Sequence, residues 1–282
     1  MTDNKSILIT GCSSGIGLCV AKGLKARGYA VYASARKASD VAMLKEQGFN
    51  AYRLDLTDSQ SIGDTLQQVL EDTGGTLYAL FNNGAYGQVG AVEDLSVAVL
   101  REQFETNFFG WHDLTCRVIP VMRAQQTGRI IQNSSILGFM TLPYRGAYVA
   151  SKYALEGLTD TLRLELADSG IKVSLIEPGP IESRFRENAL KMWQKNIDPE
   201  KSAHRAYYQS AVDRLRKVGP ATPFTLPAEA VLKKVTHALE SPRPKVRYPI
   251  TVPTYLFGAL RRVLTSRGMD RLLLKVSGDG RR

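Results

Sequence analysis

The sequence predicts an α/β protein: a doubly wound parallel sheet with helices on both faces. Three observations predict it. Short apolar, β-rich runs alternate with longer amphipathic stretches from residue 1 to about 180. The runs are four to six residues long, the length of buried strands. The first of them opens into a glycine-punctuated turn with helical periodicity directly behind it. Alternation at this spacing implies parallel pairing through right-handed crossovers. With 282 residues and 44% hydrophobic content, the chain can bury a large core.

The elements follow in order. Strands are predicted at 6–10 (Ser-Ile-Leu-Ile-Thr), 30–34, 50–54, 77–82, 129–134 and 172–177. Helices are predicted at 16–27, with Ile16, Val20 and Leu24 on one face, and at 59–73, with Ile62, Leu66, Val69 and Leu70 likewise. Residues 96–125 and 147–168 are long amphipathic stretches. Beyond residue 180 the regularity stops. Residues 184–224 interleave aromatic and basic side chains, among them Phe185, Met192, Trp193, Tyr207 and Tyr208, and predict two helices. An insertion after the sixth strand lies outside the carboxyl ends of the strands, where such sheets bind ligands, so it reads as a substrate lid. A surface helical hairpin is the alternative. Residues 227–240 predict a helix, and Lys245–Tyr248 a last short strand between Pro244 and Pro249. The domain is thus drawn over 1–250, with 251–282 as an extension.

Tyr148 and Lys152 stand four residues apart in Tyr-Val-Ala-Ser-Lys. On a helix they are neighbours on one face, and an ammonium beside a phenol favours the phenolate. Such a pair can give a proton to a carbonyl oxygen, but alone it is a weak signal. The first strand runs into Thr10-Gly11-Cys12-Ser13-Ser14-Gly15-Ile16-Gly17. Glycines there let a backbone approach a pyrophosphate and aim a helix N-terminus at it. That makes the predicted sheet a Rossmann fold. The second strand ends in Ala33-Ser34-Ala35-Arg36-Lys37, with no carboxylate to meet a ribose hydroxyl. A guanidinium at Arg36 would instead pair with a 2′-phosphate, which favours NADP(H). Asp55, in Arg53-Leu54-Asp55-Leu56, is placed to accept from an adenine amino group.

Together these motifs resemble the short-chain dehydrogenase/reductase family. Thr10-Gly11-x3-Gly15-Ile16-Gly17, Asn82-Asn83-Gly84-Ala85, Asn107, Ser135, Tyr148-x3-Lys152 and Pro178-Gly179 occur in the family's order over roughly residues 5–250. The glycine loop, Arg36 and Glu177-Pro178-Gly179-Pro180 look most like its 17β-hydroxysteroid and retinol dehydrogenase branch and bacterial aldehyde reductases. The resemblance implies a catalytic set of Asn107, Ser135, Tyr148 and Lys152. Ser135, with Ser134 as alternative, would bond the substrate oxygen and Tyr148 exchange the proton. Lys152 would bind the nicotinamide ribose and lower the Tyr148 pKa, and Asn107 would hold a water linking Lys152 to solvent. A helix-kinking Asn is the other reading. Cofactor contacts would come from Gly11, Ser13, Ser14, Gly15, Ile16, Gly17, Arg36, Asp55, Leu56, Asn83, Pro178, Gly179, Ile181 and Ser183, beside Tyr148 and Lys152. One departure is visible: the family usually reads Asn-Asn-Ala-Gly where this chain has Gly84-Ala85, so a positive φ at the second position would strain Ala85. The implied activity is hydride transfer between NADP(H) and a carbonyl or alcohol of an apolar substrate such as an aldehyde, retinoid or steroid-like ketone. A non-catalytic dinucleotide sensor is the alternative. A dimer or tetramer built near 96–125 and 147–168 is also implied.

Composition sets the remaining bounds. The first residues lead into Ile7-Leu8-Ile9, too short for a signal-peptide core, so a cytoplasmic protein is expected. Cys12, Cys19 and Cys116 suggest neither a disulfide framework nor a zinc site, and no metal is expected. The net charge is +10, of which residues 243–282 carry +8. This tail offers no nucleic-acid-binding motif, and its longest uncharged run, Tyr248 to Leu260, falls short of a bilayer span. It reads as a basic amphipathic segment that either lies on an anionic membrane or packs its apolar side on the domain or a partner subunit.

Overall fold

The computed structural model describes residues 5–217, 219 and 222–277. Strands β1 (Ser6–Ile9), β2 (Ala30–Ala35), β3 (Asn50–Arg53), β4 (Ala79–Asn82), β5 (Gly128–Asn133), β6 (Ile171–Glu177) and β7 (Arg247–Pro249) form one parallel sheet, ordered β3-β2-β1-β4-β5-β6-β7. The chain winds one way from β1 to β3 and the other way from β4 to β7. That reversal opens a crevice at the carboxyl ends of β1 and β4. β1 and β4 are buried on both faces, which is why they read as unbroken apolar runs. Ile7 and Ile9 point into one core and Leu8 into the other, as the two-residue period requires.

Helices α1 (Gly15–Ala26), α2 (Ala38–Glu46) and α3 (Ser59–Asp72) join the first strands, and α9 (Glu229–Glu240) packs beside α1. α2 carries only Val41 and Leu44 inward, too few apolar positions to register as a helix in sequence. The stretch 96–125 is α4 (Val97–Phe104) and α5 (Gly110–Ala124) joined by one π-helical turn, Glu105–Phe109. Gly110 is needed at this joint, since a Cβ there would lie 2.0 Å from the Leu56 carbonyl oxygen. α6 (Gly146–Glu165) carries Tyr148 and Lys152.

Residues 184–224 do form two helices, α7 (Phe185–Asn196) and α8 (Arg205–Arg216). The insertion leaves and returns through one point: Ile181 bridges Leu226, with Glu182 N donating to Leu226 O at 3.0 Å and Leu226 N to Pro180 O at 3.1 Å. The last strand starts two residues later than the sequence predicts and takes in Pro249, tolerated because β7 is a sheet edge. The extension is helical as well, α10 (Val252–Val263) and α11 (Ser266–Val276). Phe257 and Leu273 dock on a cluster with Leu137, Met140, Tyr148 and Val149. Its last charges, Asp279, Arg281 and Arg282, lie outside the described residues. Among the described residues no helix is long and apolar enough to cross a membrane.

The β7 edge is tied to α6 by one guanidinium. Arg247 Nη1 bonds Glu156 and, at 2.7 Å, Glu177, while Nη2 bonds Asp160 at 2.5 Å. Burial first, then neighbouring Glu156, push the Glu177 carboxyl up to about 7, with Arg247 opposing, and burial also raises Glu156. A carboxyl raised in the folded state contributes stability that is fully present below its unfolded value, and this is lost as pH rises through about 7. Arg247→Ala leaves these carboxylates buried together, so we expect a loss of about 3 kcal/mol at about pH 8. Part of that loss should return at about pH 5, where Glu177 is protonated. Urea unfolding of both proteins at both pH values checks this; an equal loss at the two would contradict it.

Candidate active site

The glycine loop closes against the turn after β4. Gly11 and Gly15 have φ of +72° and +56°. A Cβ on Gly11 would lie 2.6 Å from Gly84 Cα, and one on Gly17 would lie 2.2 Å from the Gly11 carbonyl oxygen. Ser14 precedes α1 without a side-chain cap, and the first turn of α1 has no acidic residue. The helix therefore presents uncapped N–H groups and a partial positive charge at the crevice, which fits a pyrophosphate. Ser13 and Ile16 lie in the same turn, and Cys12 is buried beneath it, its thiol pushed up to about 12 by burial. The strain expected at Ala85 is not found. Among the described residues other than glycine only Gln126, Tyr144 and Phe224 have positive φ. What the transposed pair supplies is room: Gly84 sits where Gly11 and Leu56 both approach, so the small residue belongs at the first position.

At the other end of the crevice Arg36 and Lys37 are exposed beyond β2. The β2–β3 register sets Arg53 level with Ala35, and Arg53 Nε donates to the Arg36 carbonyl at 3.3 Å. Arg53 is a third cation at this corner that the sequence reading did not single out, because only strand pairing brings it there. Asp55 Oδ1 accepts from Thr57 N at 3.0 Å and Thr57 Oγ1 at 2.8 Å.

Tyr148 and Lys152 lie one turn apart on the buried face of α6, with Lys152 only 1% exposed. Lys152 Nζ donates to the Asn133 carbonyl at 2.8 Å and sits 4.1 Å from the centre of the Trp111 ring. From there a hydrogen-bonded chain runs back to the glycine loop. Asn133 Nδ2 donates to Asn83 Oδ1 at 2.9 Å, and Asn83 Nδ2 donates to Thr10 O at 3.0 Å. Thr10 Oγ1 accepts from Asn83 N at 2.8 Å and from Gly84 N at 2.9 Å. Trp111 Nε1 donates to Gly84 O at 2.8 Å. Trp111, absent from the sequence reading, thus supports both the lysine and the loop.

The Ser135 hydroxyl accepts from Leu137 N at 3.1 Å and neighbours the Tyr148 phenol, whereas Ser134 lies with Glu156 around Gly138, which separates the two serines. The electrostatics differ from the sequence expectation. Burial pushes the Tyr148 phenol up to about 12 against the neighbouring Ser135 hydroxyl, and burial pushes Lys152 down to about 7 against the Glu156 carboxylate. In the protein alone, desolvation of each group outweighs the neighbours that favour its charged form, Ser135 for the phenol and Glu156 for the ammonium. Asn107 is buried in the π-helical turn. Its Nδ2 donates to Tyr86 O at 2.8 Å and its Oδ1 accepts from Tyr86 N at 3.2 Å, so it clamps the loop after β4.

The loop after β6 completes the wall. Ile136 N donates to Pro178 O at 2.8 Å, linking it to the Ser135 turn. Ser183 lies over Gly15, and a Cβ on Gly179 would meet Thr251 Oγ1 at 2.0 Å. Phe185, opening α7, lays its ring edge-to-face on Tyr148 at 5.3 Å.

A glycine-loop crevice beside a buried Tyr–Lys–Ser set on this sheet defines a dinucleotide-dependent oxidoreductase. The chain belongs to the short chain dehydrogenases, whose family model matches residues 5–194. It is 44% identical over 270 residues to the uncharacterized oxidoreductase YbbO of Escherichia coli K12, covering 95% of this chain and 94% of that one. It is 32% identical to the NADPH-dependent 3-dehydrocapnine reductase of Ornithobacterium rhinotracheale, covering 95% of each. Among solved structures, an actinorhodin polyketide ketoreductase with NADPH superposes with a TM-score of 0.72 at 27% identity, over 89% of this chain and 97% of that one.

Thr10→Val tests the chain of bonds, since it strands two backbone N–H groups. We expect a loss of about 2 kcal/mol, read by thermal melting, and weaker nucleotide binding in a fluorescence titration. A variant with unchanged melting and affinity would show that the network is incidental.

Proposed function

We propose that this protein transfers a hydride between NADP(H) and a carbonyl or alcohol of an apolar substrate. The observation that carries the reading is the buried Tyr148 phenol, beside Ser135 and one turn from buried Lys152, on the wall of the crevice that the glycine loop closes. The loop from Gly11 to Gly17 holds the pyrophosphate, with Asn83 and Leu56 beside it, and Asp55 takes the adenine amino group. Arg36 and Arg53 take the 2′-phosphate, and Pro178, Gly179, Ile181 and Ser183 line the nicotinamide end. A nicotinamide dinucleotide bound there supplies or accepts the hydride. In the reducing direction Ser135 Oγ and Tyr148 Oη bond the substrate oxygen and stabilise the charge that develops on it, after which Tyr148 Oη delivers its proton. Lys152 Nζ stabilises the phenolate left behind.

The NADPH dependence of the 3-dehydrocapnine reductase, and the NADPH held by the polyketide ketoreductase, support the cofactor and the carbonyl. Phe185 on the phenol, with Trp193 and Met192 on the same helix, supports an apolar substrate under a lid. Exposed Val97, Leu100 and Phe109 support a homo-oligomer along residues 96–125, and the free thiols of Cys12, Cys19 and Cys116 a reducing, cytoplasmic setting.

Mixing the protein with NADPH and a panel of aldehydes and ketones, and following loss of nicotinamide absorbance, is expected to give turnover at least roughly tenfold faster than with NADH. Tyr148→Phe should lower kcat by roughly 10²–10⁴. Activity undiminished in that variant would sink the mechanism, and tight NADPH binding without turnover of any carbonyl would favour a dinucleotide sensor.

A further inference from the structure

The extension leaves an apolar helix face with nothing on it. Phe257 and Thr254 face the domain from one side of α10. On the opposite side stand Val252, Tyr255, Leu256, Ala259 and Val263, and the four larger ones are 56%, 52%, 52% and 82% exposed. A helix apolar on both sides is built to be covered on both sides. α11 follows directly and docks through Leu273 on the cluster that receives Phe257, so the outer sides of both helices turn away from one common base. The outer side of α11 carries Arg267, Arg271 and Lys275 around the exposed Leu274, and Arg262 borders the apolar face of α10. None of these four cations makes an ion pair with a described residue.

We infer that α10 and α11 form a docking surface for an anionic lipid bilayer. Apolar side chains bordered by cations that pair with no described residue match a headgroup layer over acyl chains. A second copy of this chain fits poorly. A two-fold contact would set these cations against themselves, with Asp270 as the only carboxylate on the two helices. Nucleic acid would meet the cations but leave Leu256 and Val263 in water. The inner side of the same helix packs in the Tyr148 cluster, and Thr251 and Thr254 abut Gly179, so the bilayer would lie one helix away from the reacting atoms. This rests on the proposed function for its meaning: an apolar substrate reaches the site from the membrane.

The test is co-sedimentation of the full chain with vesicles of phosphatidylcholine alone or containing phosphatidylglycerol. Binding is expected on the anionic vesicles, reduced at about 0.5 M salt. It should fall about fivefold for each cation removed, hence roughly 25-fold in Arg267→Ala/Arg271→Ala. Leu256→Glu/Val263→Glu should abolish it while keeping the melting temperature and NADPH-dependent turnover of a water-soluble aldehyde. Should the glutamate pair fail to fold, the arginine pair, with its stem contacts exposed, carries the same test. Absence of binding to anionic vesicles, binding untouched by the arginine pair, or a dimer that dissociates in the glutamate pair without vesicle binding would each overturn the inference. Vesicle binding by a chain that turns over no carbonyl would instead overturn the proposed function and leave the surface standing.

Discussion

A lysine ammonium removed from water is the constraint from which the rest of the site follows. A buried cation is tolerated only where hydrogen bonds and charge replace its hydration. For Lys152 the replacements come from three elements: the Asn133 carbonyl at the end of β5, the Trp111 face on α5, and the Glu156 carboxylate one turn along α6. Each brings its own requirement. Trp111 is held by the Gly84 carbonyl, Asn133 by Asn83, and Glu156 by Arg247 on the sheet edge. The Tyr148–Lys152 pair is thereby fixed to the glycine loop at one end and to β7 at the other. A shift of α6 by a fraction of a turn would break bonds at both.

The same economy applies to the outer walls. The insertion between β6 and α9 is closed at its neck by the Ile181–Leu226 pairing and held against the domain along its length, by Lys195 on Glu102, Asn196 on Gln88 and Tyr208 on Ala91. Its first residue within α7, Phe185, rests on the phenol. On the other side α10 is a wall of the site, with threonines on the Gly179 loop and Phe257 in the Tyr148 cluster. The basic extension therefore connects a surface of unusual charge to the chemistry through a single helix.

Much of this was legible in the sequence because it is local. Buried strands of four to seven residues leave apolar runs, and the turn from β1 into α1 leaves its glycines, whatever the tertiary context. What stayed hidden depends on residues brought together from afar. Arg53 reaches Arg36 only through strand register, and Trp111 reaches Lys152 only when α5 crosses the sheet. The opposite direction of the Tyr148 shift has the same origin, since spacing along a helix reveals a neighbouring charge but not the depth of burial that outweighs it. Ala85 is a milder case: a transposed pair suggested strain, and the backbone met it by placing the close approach at Gly84.

The depth of burial of Lys152 can be measured directly. An NMR titration of the Lys152 side-chain resonance in the free protein should give a midpoint near 7, far below the usual lysine range, because burial disfavours the cation more than Glu156 restores it. A midpoint near the ordinary value of about 10.4 would contradict the account, since desolvation would then not dominate the interactions that favour the ammonium.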